Sequence, residues 1–257
     1  MRKLNLGCGS NWRKEGWDTL DHSILTKPWQ LQPQAWNLPY ADGVFDQVFT
    51  SHMFEHISSM KIEQTICEIN RVMKNNGILR ILTPDLKKLA TAYVNNDAQT
   101  MQKFIDEDHS GISAKMGLGG AFINFISSAG SDNILLSSDY SEIIGSYAHV
   151  YCYDFEMLAY ILQHYGFIID QENSQIDHSN IQEHKELRNV PYNIDSGHSL
   201  VIECKKERYI PFDQESSLFC YGPYKRKELF PKKYRLTWLL FKLMGHVRRS
   251  LSRIGIS

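Results

Sequence analysis

Short apolar segments alternate with longer segments of helical periodicity along the first 205 residues of the chain. Short runs that are rich in β-branched or aromatic residues and bounded by Gly, Pro or Asp predict strands. These runs are 3–6, 16–21, 45–50, 78–82, 167–170 and 200–204. Apolar residues three and four positions apart predict helices over 58–74, 86–105 and 154–165. Strands and helices in this alternation predict a parallel sheet with helices on its faces.

The segment from 106 to 150 interrupts this alternation. Its central part, 109–147, has no clear period and is rich in Gly and Ser. Loops of this length inside a domain are usually functional, so we expect a lid or substrate segment here. The sequence therefore predicts one domain over 1–205, followed by an extension over 206–257.

The charge of the chain is divided unevenly. The net charge of the 257 residues is −1, yet residues 205–257 hold 13 Lys and Arg against 4 Asp and Glu, and residues 1–204 hold 15 against 25. Within the basic part, residues 234–254 place apolar side chains on one helical stripe with most basic side chains away from it. Such a helix either lies on an anionic membrane surface or docks on the protein or on a second copy, and both alternatives stay open.

Other properties of the whole chain exclude several classes of protein. Apolar residues make up 42% of the sequence, which excludes wholesale disorder. No run of 18 apolar residues predicts a transmembrane helix, and the first residues leave no room for a secretory signal. The 5 cysteines show no Cys-x-x-Cys spacing and fit reduced thiols. We therefore expect a cytoplasmic protein, peripheral at the inner membrane face if the basic helix binds lipid.

A glycine-rich turn follows the first predicted strand. Gly7 and Gly9 flank Cys8 at the carboxyl end of that strand, where open α/β sheets bind ligands. Asp21 ends the second predicted strand and can accept hydrogen bonds from ribose hydroxyls. A dinucleotide fingerprint needs a third glycine and an acid about 20 residues further on, so this spacing disfavours NAD.

The string Leu4-Asn5-Leu6-Gly7-Cys8-Gly9 resembles the first motif of class I S-adenosylmethionine-dependent methyltransferases. Further stretches are similar to the type 11 small-molecule subgroup of that family, and their order and spacing are specific. They are 16–21, 38–46, 54–56, 68–74 with Gly77, 84–85, 153–167 and 197–200. The resemblance covers roughly residues 3–205. It implies a doubly wound, mostly parallel, seven-stranded Rossmann-like sheet with an inserted lid and, here, a C-terminal basic helix.

The resemblance also implies a cofactor, S-adenosylmethionine, with S-adenosylhomocysteine as its product. The glycine turn would lie against the methionine end, Asp21 would hold the ribose, and segment 34–38 would approach the adenine. An acid that relatives often carry in that last segment is replaced here by Gln34 to Asn37. The implied cofactor-binding residues are Leu6, Gly7, Cys8, Gly9, Asp21, Gln34, Asn37, Leu38 and Ser51.

Methyl transfer to a hydroxyl requires a group that removes a proton, and histidine titrates near neutral pH. The leading candidate is His149, at the end of the lid segment, and the second is His52, after the strand 45–50. A merely structural role is an equal alternative for His149 and is the favoured one for His52, His56 and His198. Asp85 is expected to cap the helix that follows it. The sequence shows no clustered acids and histidines, so we expect no metal.

The resemblance to the type 11 subgroup indicates the class of the methyl acceptor. The site after the strand 45–50 lacks the Asn/Asp-Pro-Pro-Tyr/Phe motif of base-modifying amino-methyltransferases, so nucleic acid is disfavoured. The subgroup resemblance favours a hydroxyl of a sugar or glycan precursor, as in polysaccharide biosynthesis. Two alternatives stay open: an inactive scaffold that binds the cofactor, and an RNA or protein methyltransferase that docks through the basic tail. A homo-oligomer is also compatible with the sequence.

Overall fold

A computed structural model describes residues 1–9, 14–21, 35–106, 112–128, 149–187, 197–213 and 215–219. Contacts divide the chain into two units, Met1–Ser217 and Leu218–Ser257. The sheet and helices of the described residues belong to the first unit. The basic helix predicted over 234–254 lies outside the described residues, and the domain boundary predicted after residue 205 stays a prediction.

One sheet organises the unit. Its strands are β1 (Lys3–Leu6), β2 (Trp17–Leu20), β3 (Phe45–Ser51), β4 (Met73–Pro84), β5 (Phe167–Ile169) and β6 (Ser199–Lys206). Their order across the sheet is β2-β1-β3-β4-β6-β5. The first four strands run parallel, whereas β6 is antiparallel to both β4 and β5. The predicted fold class is confirmed, with six strands instead of seven in the part of the chain that the structure describes.

Helices cover the sheet and lie between its strands. They are α1 (Ser59–Val72), α2 (Leu86–Val94), α3 (Ala98–Asp106), α4 (Ile112–Ile126) and α5 (Phe155–His164). Single turns of 3-10 helix occupy Phe54–His56 and His184–Glu186. Among the described residues, no helix has both the length and the apolar character needed to cross a bilayer.

Two helix predictions need correction. The segment 86–105 forms two helices, because Asn96 adopts a left-handed φ of 50° and ends the first of them. The segment 109–147, predicted to lack structure, contains α4. That helix is interrupted at Gly117, whose φ is 66°, and its apolar residues pack on α2 and α3 in one cluster. The cluster comprises Leu89, Ala92, Met101, Phe104, Ala121 and Phe125.

Asp85 begins α2 as its N-cap. The Asp85 side chain accepts hydrogen bonds from the backbone N–H groups of Lys87 and Lys88, which satisfies donors that have no partner within the helix. Asp154 caps α5 in the same way by accepting from the N–H of Met157 at 2.8 Å. Both caps fix the direction in which the chain leaves the sheet region.

A buried ion pair joins the two central antiparallel strands. Arg80 of β4 faces Glu203 of β6 in the strand register, and Arg80 Nη1 lies 3.0 Å from Glu203 Oε2. The side chains are 1% and 0% exposed. The Arg80 guanidinium also donates to the carbonyl oxygens of Asn173, Gln175 and His178. A pair of buried charges therefore anchors the loop after β5 to the sheet.

Candidate functional site

The carboxyl ends of three parallel strands meet at one row of the sheet. Leu6 of β1 is in register with Leu20 of β2 and with Thr50 of β3. The residues that follow Leu6, Leu20 and Thr50 therefore lie together at the carboxyl edge of the sheet. These residues are Gly7, Asp21 and Ser51, three of the residues that the sequence predicted to bind cofactor.

The glycine turn leaves room at this edge. Gly7 and Gly9 both have a φ of 74°, a left-handed conformation that favours glycine. A Cβ atom on Gly7 would lie 2.9 Å from Cβ of Met53, whereas a Cβ on Gly9 would meet no atom of the described residues within 4 Å. Gly7 is thus required by the close approach of Met53, and Gly9 borders open space that a ligand can enter.

Asp21 holds the glycine turn in place. Its Oδ2 accepts a hydrogen bond of 2.7 Å from the backbone N–H of Gly9, and the backbone N–H of Gly7 donates to the carbonyl of Leu20 at 2.8 Å. The β2 end and the turn after β1 are therefore one rigid arrangement. The short spacing between Gly9 and Asp21, which disfavoured a dinucleotide, is what permits this bond.

Ser51 supplies a polar atom that suits a ligand. Its Oγ is buried and has no hydrogen-bond partner among the described residues. Buried polar atoms normally have a partner, so an orphaned hydroxyl next to an open glycine turn fits a site that a polar cofactor completes. Leu6 and Cys8 flank the turn, and Cys8 packs against the core cluster that contains Trp17.

Part of the segment predicted to approach adenine forms hydrogen bonds within the protein. Leu38 is 3% exposed; its N–H donates to Glu68 Oε2 at 2.8 Å, and its carbonyl accepts from Arg71 Nη2 at 3.0 Å. Asn37 is exposed. Gln34 lies outside the described residues. Leu38 therefore offers a ligand only its apolar side chain, while Asn37 keeps its amide at the surface.

The four histidines that the sequence singled out lie close together. His52 and His56 lie beside one buried carboxylate, and the rings of His198 and His149 lie beside these two histidines. Glu55, in the 3-10 turn after β3, is 0% exposed. Its Oε1 lies 3.1 Å from His52 Nδ1, at an ion-pair distance without the angle of a hydrogen bond, and 4.0 Å from His56 Nε2. The rings of His56 and His149 are 5.0 Å apart, and the rings of His52 and His198 are 5.5 Å apart.

Backbone bonds bring His149 to this cluster. The carbonyl of Glu55 accepts from the N–H groups of Val150 and Tyr151, at 2.8 and 3.3 Å. His149 Nδ1 lies 2.8 Å from the carbonyl oxygen of Phe125 in α4. Because a carbonyl can only accept, Nδ1 carries the proton in this contact, and the lone pair of a neutral ring is on Nε2.

The electrostatics of the cluster keep the carboxylate charged. Burial by itself raises the pKa of Glu55, but the contact with His52 and the electrostatic influence of the neighbouring histidines outweigh it, and the pKa is lowered to about 2. Burial lowers the pKa of His149 and favours its neutral form. The cluster therefore combines a carboxylate with at least one neutral imidazole.

His52 connects the cluster to the cofactor edge. It follows Ser51 directly, has a left-handed φ of 52°, and donates its backbone N–H to the carbonyl of Leu82. Its Nε2 pairs with the Ser199 hydroxyl at 3.0 Å. Sequence reasoning singled out the histidines but not Glu55. The spacing His52-Met53-Phe54-Glu55-His56 was the available signal, but its meaning depends on His149.

Comparison with known proteins gives one family match. Residues 19–81 match the family described as methyltransferase domain, of type 11. This range contains Asp21, Ser51 and the turn with Glu55. No curated protein matches the sequence.

Solved structures of low sequence identity resemble the fold. An S-adenosylmethionine-dependent methyltransferase from Mesorhizobium loti is 13% identical, with 80% of this chain and 90% of that chain covered and a TM-score of 0.41. One from Methanosarcina mazei is 14% identical, with 80% and 92% covered and a TM-score of 0.42. The [4+2]-cyclase SpnF is 13% identical, with 82% and 75% covered and a TM-score of 0.41. Likenesses at this level carry no argument about activity.

Proposed function

We propose, from the premise that this chain is a class I S-adenosylmethionine-dependent methyltransferase, that it methylates a hydroxyl oxygen of a small molecule, in particular a sugar or glycan precursor. One observation carries this proposal: the strand-end row of Gly7, Asp21 and Ser51 continues directly into a histidine cluster. A cofactor edge and groups that can accept a proton are thus adjacent in the chain and in space.

The residues at the edge suit the cofactor. When bound, S-adenosylmethionine supplies an activated methyl group. Gly9 leaves open space, Asp21 is held at the end of β2 where a carboxylate can accept from ribose hydroxyls, and the Ser51 hydroxyl has no protein partner among the described residues. Leu6 and Cys8 are neighbours of Gly7 in the glycine turn, and Asn37 and Leu38 belong to the segment that the family resemblance assigns to the adenine. We propose that these residues bind the cofactor.

His52 and His149 are the two residues we propose for removing the acceptor proton. His52 Nδ1 faces the charged Glu55 carboxylate, which stabilises the imidazolium that forms when Nε2 accepts a proton. Nε2 is paired with the Ser199 hydroxyl at 3.0 Å, so the acceptor hydroxyl must first replace Ser199 at this nitrogen. His149 has its lone pair on Nε2, but its ring is held by Phe125 in α4. The arrangement favours His52, since it follows the cofactor edge directly and has a carboxylate behind it.

Calorimetric titration with S-adenosylmethionine tests the cofactor site. We expect the wild-type protein to bind and the Asp21→Ala variant to lose at least about tenfold in affinity, since a hydrogen bond that involves a charged group contributes roughly 1.5–3 kcal/mol. Asp177→Ala is the matched control, because Asp177 is exposed and pairs only with Lys185 on the surface. Equal binding by the two variants would remove Asp21 from the site.

An acceptor screen tests the substrate class. Sugar nucleotides and lipid-linked saccharides are incubated with the wild-type protein, and the methylated position is identified by mass spectrometry. Methylation on oxygen is the expected result. Methylation on nitrogen would overturn the proposed acceptor, and cofactor binding without turnover on any acceptor would favour the scaffold alternative.

A further inference from the structure

We infer that Glu55, His56 and His149 form a binding site for one divalent transition-metal ion. Each residue offers one ligand atom, and these atoms all lie within 4.8 Å of one another. The site itself does not depend on the proposed function. Only its role in holding an acceptor oxygen rests on that proposal.

The spacing of the ligand atoms is close to that of an occupied site. With metal–ligand bonds of about 2.1 Å, the ligand atoms of one ion stand roughly 3–4 Å apart. The distance from His56 Nε2 to Glu55 Oε1 is 4.0 Å. Small rotations of the two imidazole rings are therefore enough to close the three groups on an ion.

Contacts behind the ligands hold them in orientation. Glu55 Oε2 accepts a hydrogen bond of 3.1 Å from Thr83 Oγ1, so Oε1 faces the histidines. His149 Nδ1 donates to the carbonyl of Phe125, so Nε2 faces inward with its lone pair. A histidine that ligates a metal almost always donates its other N–H to a carbonyl, carboxylate or water, and such contacts fix both the tautomer and the ring.

The buried charge at the centre gives an independent reason for a cation. Glu55 has no exposed surface, and Oε1 lacks a hydrogen bond of acceptable geometry among the described residues. A buried carboxylate is costly unless it is paired with a positive charge, which either a protonated His52 at 3.1 Å or a bound metal ion supplies. Since the His56 side chain is 28% exposed, an ion can reach this carboxylate from solvent.

The ligand types select the kind of ion. Two imidazoles and one carboxylate suit zinc and the other first-row transition metals, whereas magnesium and calcium prefer a shell made of oxygen. Three protein ligands leave coordination positions open. On the proposed function, an acceptor oxygen occupies one of them, His149 is a ligand instead of a base, and His52 remains for the proton.

Metal titration tests the site without cofactor or acceptor. Tag-free protein is treated with a chelator, and Co²⁺ is added while visible absorption and binding heat are recorded. We expect one ion per chain, with affinity lowered at least about tenfold in His56→Gln and in His149→Gln, because even partners behind a ligand contribute 10–100-fold. His178→Gln is the control, since its side chain is exposed and only its carbonyl is used.

The outcomes separate the two proposals. Absence of Co²⁺ binding to the wild-type protein, or equal binding by all three variants, would overturn the metal site. Mg²⁺ binding as tightly as Co²⁺ would overturn the assignment to nitrogen ligands. Circular dichroism of each variant checks folding, and titration of the same samples with S-adenosylmethionine reports separately on the cofactor edge.

Discussion

Arg80 and Glu203 show how single side chains hold a loop on this sheet. Both are buried, and the guanidinium donates to four carbonyls of the loop after β5 as well as to the carboxylate. The carboxylate in turn accepts from Ser179 Oγ and from the backbone N–H of Asn180. Buried charges are tolerated only when they are paired and hydrogen-bonded in this way.

Removing the guanidinium is therefore expected to destabilise the protein strongly. In Arg80→Met the Glu203 carboxylate loses its counter-charge and four carbonyls of the loop lose a donor, so we expect the free energy of unfolding to fall by about 3–5 kcal/mol. Urea denaturation measures this change. Lys185→Met, which breaks an exposed pair with Asp177, serves as the control and should differ little from wild type. Similar losses in both variants would contradict the argument.

The sequence predicted some residues of the candidate site but not others. Gly7, Gly9 and Asp21 could be found because their chemistry is local: two glycines after a strand, and an acid after the next. Glu55 could not be found in this way. Its surroundings are assembled from a turn after β3 and from His149, which lies beyond α4 in the chain, and no spacing along the chain reveals that contact.

Helix boundaries were predicted best where a capping residue marks them. Asp154 precedes α5 and Gly166 follows its last turn, and the observed helix, Phe155–His164, lies within the predicted 154–165. Asn95, Asn96 and Asp97 were also a visible stop signal inside the helix predicted over 86–105. The apolar periodicity continues on both sides of these residues, so the sequence predicted one helix where there are two. In α4 the opposite happened, because its glycines led the sequence analysis to predict no helix.

The N-cap of α5 is expected to contribute to the stability of the protein. Asp154→Ala removes the acceptor of the Met157 N–H, and we expect the free energy of unfolding to fall by about 1 kcal/mol. Asp154→Asn should stay close to wild type, because asparagine caps about as well as aspartate. Denaturant unfolding of both variants decides the matter, and an Asn variant as unstable as the Ala variant would exclude the cap.

For the whole molecule, the end of β6 determines how short a folded chain can be. Lys206 is 5% exposed, and its Nζ donates to the carbonyls of Asn70 and Met73 at the end of α1. Arg208 contributes its carbonyl to the Asn70 amide, and Ser217 Oγ bonds to Glu63. These contacts lie beyond the boundary predicted after residue 205.

Two truncated chains test this interpretation. A chain that ends at Ser217 keeps all of these contacts and is expected to unfold at a higher temperature than one that ends at Lys205. A chain that ends at Lys205 loses them and leaves two carbonyls at the end of α1 unpaired, so its melting temperature should fall by several degrees or more. Thermal unfolding followed by circular dichroism measures both. Equal melting temperatures would support the boundary at 205.

The topology of the sheet was predictable only in part. The alternation of strands and helices predicts parallel neighbours, as β1, β3 and β4 are. The insertion of antiparallel β6 between β4 and β5 follows from no local pattern, since its pairing with β4 joins residues far apart in sequence. The family resemblance supplied a mostly parallel sheet but also a seventh strand, which the described residues do not contain.

The pairing of β4 with β6 has a consequence for the chain while it is being made. Arg80 and Glu203 are 123 positions apart, and at 5–20 residues per second a ribosome needs roughly 6–25 s to bring the second strand after the first. During that interval the apolar edge of β4, around Leu79 and Ile81, has no strand beside it. Unpaired edges of this kind invite pairing with other chains. We therefore expect the nascent chain to be most prone to aggregation in the interval after β4 has been synthesised and before β6 has.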